Sequence, residues 1–421
     1  MNRIPTVLLQ LSLLNLTHHN RSIITLFDMS EKPEIIINNA DMEKDALIRQ
    51  IDEACDLMDQ IYRDGYYPKM KVTRVWSEHN PVIEGEFAKP DVYRWYLKRE
   101  LAKLVGAGAE VAISPSRETV SLNDPKLLDA IDEDHWDFTK KKLFLFRAER
   151  IDLSLDRLQH YTGTSARDFQ RYIMFTNYDM HVEVFQQRYP DCVRPGRNVQ
   201  MPAYHHKLKD NLGLTLINIG VGPSNAKTIT DHIAVLRPDA MIMVGHCGGL
   251  RNHQEIGDFV LASGYMRADG VLDAGMPKNV PIIPNNMLNY HLQSVLDEEK
   301  MIYRTGTVYT IDNRNWEFMK RRVVQEIHIS RSIAIDMESA TVATNGFRYR
   351  IPNATLLCIS DKPLHGKPKL GEAAQSFYQN SKERHLDIVI KAIKLSKQNF
   401  PGGLPNASIR AMDEPLMGGS S

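Results

Sequence analysis

The chain has 421 residues, 43% of them hydrophobic and 25% charged, enough for two domains of ordinary size with substantial cores. Its 52 basic and 52 acidic side chains cancel, so no overall field draws it to nucleic acid or to an anionic membrane, and neither is an expected partner.

Residues 1–40 read as a leader. The apolar stretch from Ile4 to Leu16 follows Arg3 as in a signal peptide, but it is too short to span a bilayer. His18-His19-Asn20-Arg21 follows it where a small-residue cleavage site would stand. Met29 precedes the polar run Ser30-Glu31-Lys32-Pro33, so the leader is expected to be disordered or to lie upstream of a true start at Met29. Cys55, Cys192, Cys247 and Cys358 have neither zinc-ligand nor CxxC spacing. Reduced thiols in a cytoplasmic setting are expected, with no metal and no cofactor.

Residues 41–168 read as a smaller α+β domain for regulation or oligomerisation. Leu47, Ile48, Ile51, Ala54, Cys55, Met58, Ile61 and Tyr62 recur at helical spacing after Asp41, and Asp64-Gly65 stops the helix. Residues 69–76 alternate like a half-buried strand. A second helix is expected from Asp91 to Val105, and further strands at Ala109–Ile113 and Lys142–Phe146. The order lacks a βαβ rhythm.

From about residue 169 to 400 the pattern becomes that of a mixed or mostly parallel sheet with helices on both faces. Tyr172–Phe175 reads as a strand. Leu208–Gly220 reads as a hairpin turning at Asp210-Asn211-Leu212-Gly213. A helix follows from Ser224 to Leu236, then a strand at Ala240–Val244, a loop at Gly245–Gly249 and a strand at Phe259–Ser263. A last amphipathic helix spans Ala374 to Lys397, and the Gly-, Pro- and Ser-rich tail, residues 401–421, is expected to be disordered.

Two acidic groups end strand-like stretches: Asp336-Met337-Glu338 after Ser332–Ile335, and Ser360-Asp361 after Ala354–Ile359. At the C-terminal ends of strands such groups face the crevice where α/β folds bind ligands. One carboxylate can hold sugar hydroxyls while the other supplies a proton to a leaving group, which suits cleavage of a glycosidic bond. The plainer reading makes both helix caps. Gly220-Val221-Gly222-Pro223-Ser224-Asn225-Ala226 forms a glycine turn before a helix, where backbone N–H groups can meet an anion. It lacks the third glycine of a dinucleotide fingerprint, so a dehydrogenase is disfavoured, and a tight turn capped by Ser224 is the alternative. Gly245-His246-Cys247-Gly248-Gly249-Leu250 can line a flat ligand, with His246 as wall or catalyst. Trp316 is a candidate to stack on a base or to fill the core. Lys362, His365, Lys367 and Lys369 form a basic cluster after Asp361 that can meet a phosphate or simply face solvent.

In this order the motifs resemble the purine nucleoside phosphorylase and nucleosidase superfamily over residues 170–397. Ile219–Ile229, Val244–Leu250, Ile335–Thr341, Ser360–Gly366 and the upstream Leu155–Asn177 narrow the resemblance to its AMP nucleosidase family. The resemblance implies a three-layer catalytic domain with a mixed sheet behind a smaller α+β domain. It implies hydrolysis of AMP to adenine and ribose 5-phosphate, a homohexamer, and ATP and phosphate as effectors. Asp361 resembles the acid that protonates purine N7, Glu338 the group that holds the ribose hydroxyls, and Met337 the side chain packed on the sugar. Asp336 stands where Glu is common, and Cys247 and Gly248 resemble the wall along base and ribose. Gly222, Ser224, Asn225, Lys362 and His365 are candidates for the 5′-phosphate. Met243 and His246 replace the arginine and serine that hold nucleophilic phosphate in phosphorylases, which favours water. His181 falls near the position of the water-activating glutamate of thioadenosine nucleosidases. The alternatives are a phosphate-dependent purine nucleoside phosphorylase and a catalytically inactive nucleotide sensor.

Overall fold

A computed structural model describes residues 34–38, 44–73, 82–120, 127, 142–367 and 371–405, with backbone alone for 44, 142 and 371–383. The smaller sheet comes first in the chain. Strand β1 (Ile35–Ile37) leads to helix α1 (Lys44–Arg63), whose apolar side buries Ile51, Ala54, Cys55, Met58 and Ile61. Strands β2 (Tyr66–Thr73) and β3 (Val82–Glu86) follow, then α2 (Arg94–Gly106) and β4 (Glu110–Thr119). The strands lie antiparallel in the order β1-β4-β2-β3.

The expected leader therefore ends early. Ile35–Ile37 pairs with β4 and Ile37 is fully buried, because this run of three isoleucines completes that sheet. Residues 74–76 of the expected strand, and 1–33 of the leader, lie outside the described residues. The expected strand at Lys142–Phe146 is instead a 3-10 turn over Lys142–Phe144. Its aromatics plug gaps: the Phe144 ring lies tilted against Phe87 at 5.7 Å, and that of Phe146 tilted against Tyr349 at 5.3 Å. Residues 90–93 form a 3-10 turn before α2.

The larger sheet begins after α3 (Ala148–Thr162). It contains β5 (Tyr172–Thr176), β6 (Ala203–His206), β7 (Leu214–Asn218), β8 (Ala240–Gly249), β9 (Phe259–Ala268), β10 (Tyr303–Ile311), β11 (Ala334–Asp336) and β12 (Asn353–Asp361). Between these strands lie α4 (Asp179–Arg188), α5 (Pro223–Ile233), α6 (Asn286–Glu298), α7 (Lys320–Ser330) and α8 (Ser339–Arg348), and α9 (Gly371–Asn399) closes the fold. The order is β11-β10-β9-β12-β8-β5-β7-β6, with β11 also paired to β8, so the sheet partly curls on itself. One face buries Phe185, Leu288, Leu292, Leu386 and Val389 from α4, α6 and α9; the other buries Leu155, Ile229 and Val342 from α3, α5 and α8. The result is three layers. Strands β12, β8, β5 and β7 run parallel, which brings their C-terminal ends to one edge.

Three further expectations change. The hairpin's first strand is β6, ahead of the expected Leu208, and its turn places Asp210 and Asn211 at φ 56° and 54°, a region that short polar side chains tolerate. Gly245–Gly249 is strand, not loop: β8 runs on because its neighbours β12 and β11 supply partners up to Gly249. The tail starts ordered, since Leu404 is buried and Asn285 Nδ2 donates to the Pro405 carbonyl at 2.6 Å; residues 406–421 lie outside the described residues.

The two sheets are joined by a buried ion triad. Asp239, just before β8, accepts from Arg99 Nη1 on α2 at 2.7 Å and from Arg171 Nε, just before β5, at 2.7 Å. Removing one member of a buried triad strands the others' charge, at a cost of about 3–5 kcal/mol. Asp239→Ala is expected to lose about that much, read from urea unfolding; a loss below about 1 kcal/mol would contradict the role.

Candidate active site

The strand ends open on a cavity of about 420 Å³. Asn177 and Tyr178 line it from the end of β5, His246, Cys247 and Gly248 from β8, residues 313–317 from the turn after β10, and Ser360 and Asp361 from β12. Asp336, Met337 and Glu338 enter from the turn between β11 and α8.

Glu338 is held in it by donors from two separate chain segments. Its Oε1 accepts the Gly222 N–H at 2.6 Å and its Oε2 accepts from Asn177 Nδ2 at 3.3 Å. Gly222 has φ 114°, open only to glycine, and that backbone turn aims its N–H at the carboxylate. Burial, and the nearby charge of Asp336, push the Glu338 carboxyl up to about 8 despite these donors. Asp336 is also raised by burial, but three donors hold it: Thr310 Oγ1 at 2.6 Å, the Ser339 N–H at 2.9 Å and the Ser339 hydroxyl. Asp336 thus ties β10 to the first turn of α8, so the capping reading fits this acid and not Glu338. Asp361 is partly exposed, and its Oδ1 accepts from Ser360 Oγ at 2.6 Å.

The structure brings Asp361, Glu338, Met337, Asp336, Cys247, Gly248 and Trp316 to this cavity, with Gly222 reaching it through its N–H. Gly248 is needed where three strands meet: a Cβ there would stand 3.0 Å from Ile335 Cγ2. Trp316 is 5% exposed and packs with Leu250, Tyr309 and Ile335, so it is both core and wall. Four expected residues are turned elsewhere. Ser224 is exposed on α5, caps nothing, and does not line the cavity; Gly222 holds the cap position. Asn225 Oδ1 accepts from Gln200 at 3.4 Å. Lys362 is buried with its ammonium on the Asn252 carbonyl at 3.0 Å and Glu255 at 3.6 Å. His365 Nε2 donates to the Leu250 carbonyl at 3.3 Å. Lys362 and His365 brace the 250–255 turn, since β12 ends at Asp361 and the chain folds back there.

Sequence reasoning missed Asn177, Tyr178 and Arg314. Asn177 follows an all-buried strand, the one available signal. Arg314 lies in the polar run Asp312-Asn313-Arg314-Asn315 and is the only lysine or arginine lining the cavity among the described residues. His181 does not line the cavity; it is fully buried behind His246.

Residues 179–394 match the family described as the phosphorylase superfamily. The chain is 36% identical to the AMP nucleosidase of Escherichia coli (strain K12), over 83% of its own length and 88% of that protein's. The chain belongs to the AMP nucleosidase family. A solved structure from the family, the AMP nucleosidase of Bacteroides thetaiotaomicron VPI-5482, superposes with a TM-score of 0.51 at 31% identity, covering 59% of this chain and 99% of that one. The uridine phosphorylase of Vibrio fischeri, at 14% identity and a TM-score of 0.50, shares the fold alone.

The raised Glu338 carboxyl has a consequence for stability. The folded protein keeps a proton there that the unfolded chain releases above its ordinary value of 4.5. Stability from this group is therefore full below about pH 4.5 and lost as pH climbs through about 8. Glu338→Gln removes the loss, so its melting temperature relative to the parent is expected to rise between about pH 6 and pH 9; a constant difference would contradict the assignment.

Proposed function

We infer that the protein hydrolyses AMP, breaking the bond between purine N9 and ribose C1′ to release adenine and ribose 5-phosphate. The observation that carries this reading is the meeting of Glu338 and Asp361 at one cavity, in a chain 36% identical to an AMP nucleosidase. Adenine leaves poorly as an anion, so a proton from Asp361 to N7 lowers the barrier. The ribose 2′- and 3′-hydroxyls donate to Glu338, whose ionised form they favour, and that carboxylate stabilises positive charge growing on the sugar. Met337 packs on the ribose, and Trp316, Cys247 and Gly248 wall the base. Met243, fully buried in β8, offers no charge to a phosphate nucleophile, which supports water over phosphorolysis.

Arg314 takes the 5′-phosphate in this reading, in place of Lys362 and His365. A guanidinium and a phosphate form paired charge-assisted hydrogen bonds. The reading further carries a cytoplasmic homo-oligomer, hexameric by family resemblance, with ATP and phosphate as effectors and residues 41–168 as the module for both. Among the described residues no helix is long and apolar enough to cross a membrane.

Asp361→Asn is expected to lower kcat for adenine release on the order of a hundredfold or more with KM little changed, measured by chromatography; near-parental turnover would refute the acid's role. Arg314→Ala should raise KM for AMP by about 10-fold or more while leaving weak adenosine cleavage unaltered. Equal effects on both substrates would remove Arg314 from the phosphate.

A further inference from the structure

Hydrolysis needs a group to accept a proton from the attacking water, and the cavity's inner carboxylates are committed. Glu338 is held at both oxygens by Gly222 and Asn177, and Asp336 at both by Thr310 and Ser339. Asp361 serves as the acid. Sheet order says where the water must lie. Strand β8 runs between β12, which carries Asp361, and β5, whose following Asn177 holds Glu338. A purine held at Asp361 and ribose hydroxyls held at Glu338 put C1′ between them, over the end of β8. His246 lines the cavity from that strand, paired across to Cys358 on β12.

His246 is also the front of a buried imidazole cluster. The His181 ring lies 5.5 Å away and within 5° of parallel, and the His385 ring stands edge-on at 5.0 Å from His181 and 5.8 Å from His246. Tyr178 meets His246 edge-on at 4.3 Å. His385 Nε2 donates to the Leu356 carbonyl at 2.9 Å, because a carbonyl only accepts, so its Nδ1 keeps a lone pair facing the cluster. His181 Nδ1 is 2.7 Å from Thr176 Oγ1, and among the described residues neither His181 Nε2 nor His385 Nδ1 has a hydrogen-bond partner. Burial holds both rings neutral, with His385 lowered to about 4. Neutral rings behind His246 leave it free of a competing cation. His181 falls near the position of the water-activating glutamate of thioadenosine nucleosidases, which left the base of this chain unassigned; the fold puts His246 between His181 and the cavity.

We propose that His246 is a catalytic residue, the base that takes a proton from the attacking water, with His181 and His385 as positioning residues that hold its ring at the cavity wall. The proposal rests on AMP hydrolysis being the reaction. As the water oxygen bonds to C1′, one of its protons passes to a ring nitrogen of His246. The C1′–N9 bond breaks with its electron pair going to the purine, which receives the Asp361 proton at N7. His246 then returns a proton to solvent and Asp361 regains one, closing the cycle.

The test compares the parent with His246→Asn and His246→Gln, after thermal unfolding shows which variants fold. The expected result is a kcat for AMP lower by about 10²–10⁴-fold with KM within a few-fold. Sodium azide, a nucleophile with no proton to lose, should restore turnover in the His246 variants, yielding ribosyl azide 5-phosphate, and should not restore Asp361→Asn. His385→Gln should lower kcat less than the His246 variants do, again without raising KM. A folded His246 variant with near-parental kcat, or one that azide does not rescue, would overturn the proposal. So would stoichiometric zinc in the parent that is lost in His385→Gln and required for turnover: the three rings' nitrogens lie within 4.8 Å, and the water would then belong to a metal. A parent that releases no adenine from AMP would instead overturn the underlying reaction.

Discussion

The site depends on one buried carboxylate. Glu338 sits where three separate chain segments converge, and it is held by the Gly222 N–H after β7 and the Asn177 amide after β5. An ionised carboxylate so far from water is costly unless donors surround it. Two donors do not fully compensate, and the raised carboxyl records the shortfall. A substrate that brings two hydroxyl donors makes good that deficit, and one that develops positive charge does so further. Ribose binding and bond cleavage thus both supply what the ionised carboxylate lacks.

Everything around Glu338 serves to keep that geometry. Asp336, two residues earlier, is tied to Thr310 and Ser339 and so fixes the turn from β11 into α8. Strand β11 is itself clamped between β10 and the end of β8, and Gly248 lets the three strands approach. Parallel pairing of β12, β8, β5 and β7 then sets Asp361, His246 and Asn177 side by side at one edge. The hydrophobic layers on either face supply the stability from which these buried polar groups subtract.

Much of this was legible in the sequence, for physical reasons that differ by element. The apolar runs of β5, β8 and β12 mark strands buried on both faces, and the acids at their ends could be read as facing a crevice. The separate antiparallel sheet was legible only as an α+β mixture, because Ile35–Ile37 is too short a run to stand out from the leader. Lys142–Phe146 carries a short apolar run that reads as a strand, yet its side chains fill gaps between elements far apart in sequence. Lys362 and His365 looked like phosphate ligands because charge is visible in sequence and direction is not; the turn after β12 points both at the 250–255 segment. Arg314 was hidden by the converse, an ordinary polar run that the end of β10 carries to the cavity.

The division of labour between the two acids is tested most directly by a crystal structure with a C-nucleoside analogue of AMP, whose carbon–carbon glycosidic link cannot break. The account predicts both ribose hydroxyls within about 3.2 Å of the Glu338 oxygens and the purine N7 position at hydrogen-bond distance from Asp361. An analogue bound with its ribose away from Glu338, or with the N7 edge facing solvent, would contradict it.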